Sequence, residues 1–316
     1  MPEIYPLEDI KKALKDIDLL PPIEEGFLAY SRGKSVVPPV GELLFENPPG
    51  EVHIKYGYIK EDEYYVIKIA SGFYENPRWN LPSSNGLMLL FLQRTGELAA
   101  ILLDEGFLTD IRTAVAGAVV AKVLAPRVVR RIGILGTGAQ GHLQLEYLKG
   151  VVDCQDVMVW GRNPEKREAY RKDMENRGFA VTPVDTPEQV AEACNLIITA
   201  TPSRTPLIPA DVVQKGTHIT AVGSDTPDKI ELDPRILEKA DIVVADSIPQ
   251  CRIRGEIHHA LKAGLIQESK IRELGQVLEN RELGRTSDDE ITVGDLTGVA
   301  VQDIQIAKVV YKALKT

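Results

Sequence analysis

Three glycines at the spacing Gly136-x-Gly138-x-x-Gly141 follow the apolar stretch Ile132–Leu135 directly and open a helical stretch. In this arrangement a strand turns into a helix over the phosphates of a dinucleotide. The first glycine permits the tight turn, the second lets the backbone approach the pyrophosphate, and the third lets helix and strand pack closely. The helix N-terminus offers its N–H groups to the anion. The spacing alone is a weak signal because glycine is common; the strand before it and the helix after it make it specific. Gly136-Thr137-Gly138-Ala139-Gln140-Gly141 is therefore read as the pyrophosphate seat of a dinucleotide-binding domain spanning residues 132–298.

The end of the next strand bears on which dinucleotide. An NAD site usually carries an Asp or Glu about 20 residues beyond the loop, bonded to the ribose 2′-hydroxyl. Here that strand ends Val159-Trp160-Gly161-Arg162-Asn163, without a carboxylate. Arg162 is suited to pair bidentately with a 2′-phosphate and to stack on adenine. Arg162 and Asn163 are thus assigned to the cofactor, with NADP(H) favoured and NAD(H) the alternative. Thr201, just after the stretch Leu196–Thr199, and Gly298 are expected to line the same cofactor. His258-His259 invites a metal reading, but adjacent helical residues face different ways. No carboxylate or Cys at ligand spacing accompanies the pair, so no metal is expected.

Elements must hold these residues in place. Residues 7–30 read as an amphipathic helix, with Leu7, Ile10, Leu14 and Ile17 at helical spacing. Pro21-Pro22 is expected to break it before a second helical piece. Residues 52–58, 64–69, 86–92 and 98–103 read as strands, the first two rich in β-branched and aromatic side chains. With no helix between them, they predict an antiparallel or mixed sheet. An Ala/Val-rich helix over 110–124 is suited to close packing. Beyond Arg131 short apolar strands alternate with helices: 132–135, 157–160, 196–199, 219–222 and 242–244, with helices over 139–149 and 164–177. Such alternation builds a parallel sheet covered on both faces. The fold class is therefore α/β, a doubly wound parallel Rossmann sheet plus an N-terminal α+β domain. The domains are expected at 1–120, with the helical tail 299–316 returning to it, and at 121–298.

Composition narrows the classes. The chain has 316 residues, 44% of them hydrophobic, and 37 Lys plus Arg against 46 Asp plus Glu, a net charge of −9. Its length fits about two domains. The acidic balance argues against general attraction to nucleic acid or anionic membranes. The longest apolar run, residues 86–92, falls far short of the roughly 20 residues that span a bilayer. The start, Met1-Pro2-Glu3-Ile4-Tyr5, lacks the marks of a signal peptide. Cys154, Cys194 and Cys251 are odd in number and far apart, so they are expected to be core thiols. A soluble cytoplasmic protein is the expectation.

Further motifs carry a resemblance over nearly the whole chain. They are Val66-Ile67-Lys68-Ile69-Ala70, Asn76-Pro77, Leu81-Pro82-Ser83 and Leu108-Thr109-Asp110-Ile111-Arg112-Thr113-Ala114. After the glycine loop come Gly223-Ser224-Asp225, Glu231-Leu232-Asp233-Pro234 and Asp295-Leu296-Thr297-Gly298. In this order they resemble the ornithine cyclodeaminase/mu-crystallin family. The resemblance implies a homodimer joined through N-terminal sheets, with 1–120 as the substrate-binding and dimerisation domain. It also implies hydride transfer between a nicotinamide and the C–N bond of a small amino acid or its cyclic imine. Arg112 matches the family's α-carboxylate anchor, a task suited to a guanidinium fork. Lys68 matches its strand lysine, which contacts the carboxylate and acts in proton transfer. Asp225 matches its general base, which must lose its ordinary low pKa by burial to work near neutrality. It also falls on a strand-to-helix loop at the carboxyl end of the expected sheet, where ligands bind in open α/β folds. Ser83 matches a position, often Thr, on the nicotinamide side of the cleft.

The chain departs from that pattern twice. Many relatives carry an Arg just after the proline near residue 39, where this chain has Val37-Pro38-Pro39-Val40. Ornithine-specific members carry an acid where this chain has Lys55, and a lysine there repels ornithine's side-chain ammonium. Free ornithine is therefore expected to be a poor substrate. Lys55 and His53 share a strand face, and are available to replace the missing carboxylate anchor or to receive an anionic side chain. The leading reading is an NAD(P)-dependent imine reductase or amino-acid dehydrogenase. The alternatives are an ornithine cyclodeaminase proper, which releases ammonia while recycling its cofactor, and an NADPH-dependent small-molecule binding protein.

Overall fold

The computed structural model describes residues 2–73 and 75–315. Thr316, the last residue of the expected tail helix, and Met1 lie outside the described residues. The chain forms two compact units, Met1–Arg112 with Val299–Thr316, and Thr113–Gly298. The first division falls after Arg112, within the helix Phe107–Leu124, which also contains residue 120.

The first unit is built on a seven-stranded sheet: β1 (Glu3–Pro6), β2 (Ser35–Val36), β3 (Gly41–Glu46), β4 (Pro49–Ile59), β5 (Tyr64–Gly72), β6 (Ser84–Leu92) and β7 (Leu98–Leu103). The order is β1-β7-β6-β5-β4-β2, with β3 also paired to β4. All pairs are antiparallel except β1 with β7, so the sheet is mixed. The four expected strands are its centre. The three unexpected ones are short or, like β3, exposed along most of their length. The helix Ala300–Leu314 packs on β4, β5 and β6, and the helix Leu20–Ser31 packs on it in turn.

The N-terminal helical region differs from expectation in one respect. The break falls between Leu14 and Leu20, and Pro21-Pro22 lies inside the first turn of Leu20–Ser31. Proline is tolerated there because first-turn N–H groups have no intrahelical acceptor to lose. The two prolines begin a helix instead of ending one.

The second unit is an eight-stranded parallel sheet. Its strands are β8 (Ile132–Leu135), β9 (Asp156–Trp160), β10 (Ala180–Pro183), β11 (Leu196–Thr199), β13 (His218–Ala221), β15 (Ile242–Ala245), β16 (Ile271–Glu273) and β17 (Thr292–Asp295). A separate parallel pair joins β12 (Arg204–Ile208) to β14 (Ile230–Leu232). The large sheet runs β10-β9-β8-β11-β13-β17-β15-β16. The chain therefore lays β9 and β10 on one side of β8, then returns with β11 on the other. Between β8 and β11 lies a topological switch point, where doubly wound folds open a crevice at the strands' carboxyl ends. The strands β8, β11, β13, β15 and β17 are buried throughout, as both faces of such a sheet require. The helix Phe107–Leu124 approaches Ala139–Leu148 so closely that a Cβ on Gly117 would lie 1.9 Å from Gln144 Oε1. Its small residues make that approach feasible.

Candidate dinucleotide cleft and candidate substrate cluster

A cleft of 290 Å³ opens at the switch point. Its walls are the loop after β8 (Gly136, Thr137, Gly138), the segment after β9 (Trp160 to Asn163, with Lys166), and the loop after β11 (Ala200 to Ser203). Each glycine has a distinct reason to be there. Gly136 adopts φ +120°, and a Cβ on it would lie 2.5 Å from Ala200 O. A Cβ on Gly141 would lie 2.1 Å from Gly136 O, so helix and turn meet backbone to backbone. Around Gly138 a Cβ would meet nothing within 4 Å. Gly138 is also the N-cap of Ala139–Leu148, and no side chain caps that helix end. An open approach to a helix N-terminus without a side-chain cap fits an anion such as a pyrophosphate.

Two cations, Arg162 and Lys166, line the cleft, and no carboxylate does. Asn163 has a structural duty as well: its side chain caps Pro164–Asn176, Oδ1 accepting from Lys166 N at 3.1 Å. Four residues assigned to the cofactor from sequence do not line the cleft. Ala139, Gln140 and Gly141 lie in the first turn of the helix behind the loop. Gly298 (φ +82°) donates its N–H to the buried Asp246 carboxylate at 2.6 Å.

Thr201 is held from behind. Its N–H and hydroxyl donate to Glu231 Oε1 at 2.6 and 2.7 Å, while Oε2 accepts from Thr199 Oγ1 at 2.8 Å and Gly223 N at 2.9 Å. Glu231 is fully buried, and burial pushes its carboxyl up to about 7 against the pull of these donors. Burial likewise raises Asp295 to about 8 and lifts Glu256 well above the carboxylate range. Glu256 accepts from the backbone of Glu231 and Leu232 at 2.8 and 3.1 Å. Just beyond Gly223, Asp225 is half-buried and accepts from Lys229 Nζ at 2.7 Å, while its backbone carbonyl accepts from Arg254. Its surroundings are thus not apolar burial alone, since an ammonium stands beside the carboxylate.

In the first unit Lys55 and Lys68 stand directly opposite on β4 and β5. Both are buried (5% and 2% exposed), as are Arg112 (4%) and Asp303 (1%). Asp303, on Ala300–Leu314, gathers the cations: its Oδ1 lies 3.0 Å from Arg112 Nε and 4.0 Å from Lys68 Nζ. Arg112 Nη1 donates to Gln302 Oε1 at 3.0 Å. Asp104, whose carboxyl accepts from Leu108 N at 2.8 Å, is raised by burial to about 6, with the charge of Lys68 opposing the rise. His53 shares the buried face of Lys55, 3.6 Å from Glu42. Ser83 precedes β6, where its carbonyl accepts from Phe73 N at 2.7 Å.

Lys68, Arg112 and Lys55, picked from sequence, thus fall into one buried cluster. Asp303 and Asp104 were missed, and Glu231 was quoted only within a motif, without a role. Glu231 does carry a signal, an acid set directly between apolar residues in Ile230-Glu231-Leu232, whereas Asp303 follows Gln302 and Asp104 precedes Glu105. His258 and His259 each face a backbone carbonyl, of Arg252 at 2.8 Å and Lys229 at 2.9 Å. Cys194 and Cys251 are buried and Cys154 is partly so; all three are free thiols. Among the described residues no helix is long and apolar enough to cross a membrane.

The chain is similar to known proteins along nearly its full length. It is 40% identical over 300 residues to an uncharacterised cyclodeaminase of Sinorhizobium fredii, covering 94% of this chain and 91% of that one. An archaeal alanine dehydrogenase dimer with bound NAD superposes with a TM-score of 0.90 at 33% identity, covering 99% and 95%. Thermococcus litoralis Δ1-pyrroline-2-carboxylate reductase, in complex with NADH and L-proline, superposes with a TM-score of 0.92 at 28% identity, covering 98% and 97%. Residues 3–316 match the ornithine cyclodeaminase/mu-crystallin family throughout, and the chain belongs to that family.

Proposed function

We propose that this protein is a nicotinamide-dinucleotide-dependent oxidoreductase acting on the C–N bond of a small amino acid or its imine. The observation that carries this reading is the buried cluster of Lys68 and Arg112 around Asp303. Burying cations is costly unless they are paired or have an anion to receive. A substrate carboxylate is such an anion. Two of the three Arg112 nitrogens face Asp303 and Gln302; the proposal gives the third to the α-carboxylate. Lys68, on the rigid centre of the sheet, is the proton donor to the imine nitrogen in the reductive direction, and Asp225 is a second acid/base. A dinucleotide bound in the cleft supplies or accepts the hydride. The glycine loop, the helix end and the Arg162–Lys166 pair fit such a molecule, and the absence of an acid among the lining residues favours NADP(H). The two similar structures hold NAD and NADH, which keeps NAD(H) in view. Ser83 belongs to the nicotinamide side of the site in the same proposal.

Lys55 bears on the substrate. Its ammonium shares a buried face with Lys68, so a second ammonium, as in ornithine, meets repulsion there. An imine with an uncharged or anionic side chain fits better. The outer face of the first unit's sheet is proposed to join a second copy of the chain, and a cytoplasmic setting goes with the use of reduced dinucleotides.

The test is a panel of cyclic ketimines, and of α-keto acids with ammonium, offered with NADPH and with NADH, beside free ornithine. Steady nicotinamide oxidation with an imine, faster or tighter with NADPH, is the expected result. Ammonia release from ornithine without net nicotinamide change would make the protein a cyclodeaminase and sink the Lys55 argument. Cofactor binding without turnover of any member would favour a binding protein.

A further inference from the structure

The proposed chemistry leaves Glu231 unused, yet this buried side chain bonds Thr199, Thr201 and Gly223, on the loops after two strands. It comes from β14, whose backbone is itself fixed, with Ile230 N donating to Ser203 O at 2.8 Å and Glu231 N to Glu256 at 2.8 Å. From there the carboxylate reaches the ends of two parallel strands. One oxygen receives Thr201, on the cleft wall; the other receives Thr199 at the end of β11 and Gly223 beyond β13. The loops it joins are in backbone contact: a Cβ on Gly223 would lie 2.2 Å from Thr201 O. On the other side, Gly136 of the phosphate loop abuts Ala200 O. The three loops after β8, β11 and β13 therefore form one interlocked rim.

We propose that Glu231 is the positioning residue of this rim: its buried carboxylate sets the Thr201 wall of the dinucleotide cleft and the turn carrying Asp225 in a single geometry. The inference rests on the reading of the cleft as a dinucleotide site. Its chemistry is specific to a carboxyl group. Each oxygen meets one backbone N–H, which can only donate, and one threonine hydroxyl, which can turn. A protonated carboxyl keeps both amide bonds, because its O–H donates to a threonine oxygen. The rim thus survives proton uptake near neutrality, where this carboxyl titrates. A carboxamide does not: its NH2 must face either Thr201 N–H or Gly223 N–H, donor against donor. Aspartate, one carbon shorter, cannot span the two loops from a strand held at this distance.

The experiment measures NADH affinity of the parental protein, Glu231→Gln and Thr199→Val, at a temperature where all three are folded, beside their thermal midpoints. Thr199 is fully buried and does not line the cleft, so its near-isosteric valine removes one bond to Glu231 without touching ligand. Glu231→Gln is expected to raise Kd about 10-fold or more, and Thr199→Val about threefold, as loss of buried hydrogen bonds implies. The amides of Thr201 and Gly223 are expected to exchange faster with solvent in both variants. A role confined to stability would lower the midpoints and leave the Kd of the folded protein unchanged; that result overturns the proposal. A raised Kd without faster exchange at these two amides overturns it as well. If Glu231→Gln fails to fold, Thr199→Val decides alone by the same two readouts. If the parental protein binds neither NADH nor NADPH, the dinucleotide reading itself fails and takes this inference with it, a result distinct from equal affinities across the three proteins.

Discussion

An exposed arginine beside a phosphate site can be decisive or idle, and at Arg162 the surroundings favour the first. It lines the cleft with Lys166, and no carboxylate competes for either cation among the lining residues. An ion pair at such exposure contributes little by itself, but a guanidinium fork on a doubly charged phosphate gains two parallel hydrogen bonds. Replacing Arg162 by Ser is therefore expected to raise the Kd for NADPH about 10-fold while that for NADH stays within about twofold. Parallel titrations of the two cofactors check it; equal losses would show that Arg162 serves the shared adenosine moiety and selects nothing. The same reasoning by surroundings separates Lys68 from an ordinary strand lysine. Its register partner is another lysine, and Asp303 and Asp104 lie near it. Nothing in Val66-Ile67-Lys68-Ile69 foretells that company, because Asp303 arrives from a helix more than two hundred residues later.

At the scale of elements, the glycine loop makes a sharp distinction between holding the fold and holding a ligand. A Cβ on Gly141 would collide with the backbone of Gly136, whereas one on Gly138 would enter open space at a φ of −86° that any residue adopts. Gly141→Ala is therefore expected to lower stability by about 1–3 kcal/mol through overpacking. Gly138→Ala is expected to leave the thermal midpoint within a degree or so, yet to weaken dinucleotide binding about 10-fold, because its methyl group occupies the approach of the pyrophosphate. Melting curves and cofactor titrations of the two variants read the two effects separately; binding undisturbed in Gly138→Ala would remove the pyrophosphate from that place. This loop was legible in the sequence because its meaning is local: strand, turn and helix are contiguous. The strands β8, β9, β11, β13 and β15 were legible for a similar reason, as short apolar runs between polar helices. Strand β17 was not, since Thr-Val-Gly-Asp has a glycine and an acid where strand residues are expected. It lies in the sheet interior because Gly294 accommodates Val120, whose Cγ1 a Cβ there would meet at 2.6 Å. Glu231 was quoted within a family motif without a role. Its task exists only once three loops from distant parts of the chain have closed around it.

For the whole molecule, the remaining question is what covers the outer face of the first unit's sheet. Strand alternation puts Lys55, Lys68 and Met88 on the face that meets the helix Ala300–Leu314. The opposite face carries, in register across four strands, Tyr56, Ile67, Leu89 and Ile101, with Ile4 beside Ile101 on β1. A neighbouring row runs Tyr58, Tyr65, Phe91 and Leu98, in which the rings of Tyr65 and Phe91 stack 4.8 Å apart. These side chains are only partly buried, and Ile4, Tyr56 and Tyr58 are exposed at 59%, 38% and 37%. A continuous apolar face of this kind marks an association surface. In the proposed dimer a second copy covers it, since an identical apolar sheet offers a self-complementary surface for an isologous pair. Ile67 lies at the centre of the face, between Tyr56 and Leu89. Ile67→Lys would bury a charge in each half of such an interface, at a cost of several kcal/mol per dimer and therefore a loss of about 100-fold or more in association. Sedimentation equilibrium of the parental protein is expected to give twice the chain mass, and that of Ile67→Lys the chain mass itself, with far-ultraviolet circular dichroism unchanged. A parental protein that sediments as a monomer, or a lysine variant that stays dimeric, would move the interface away from this sheet. The apolar rows would then need a different cover.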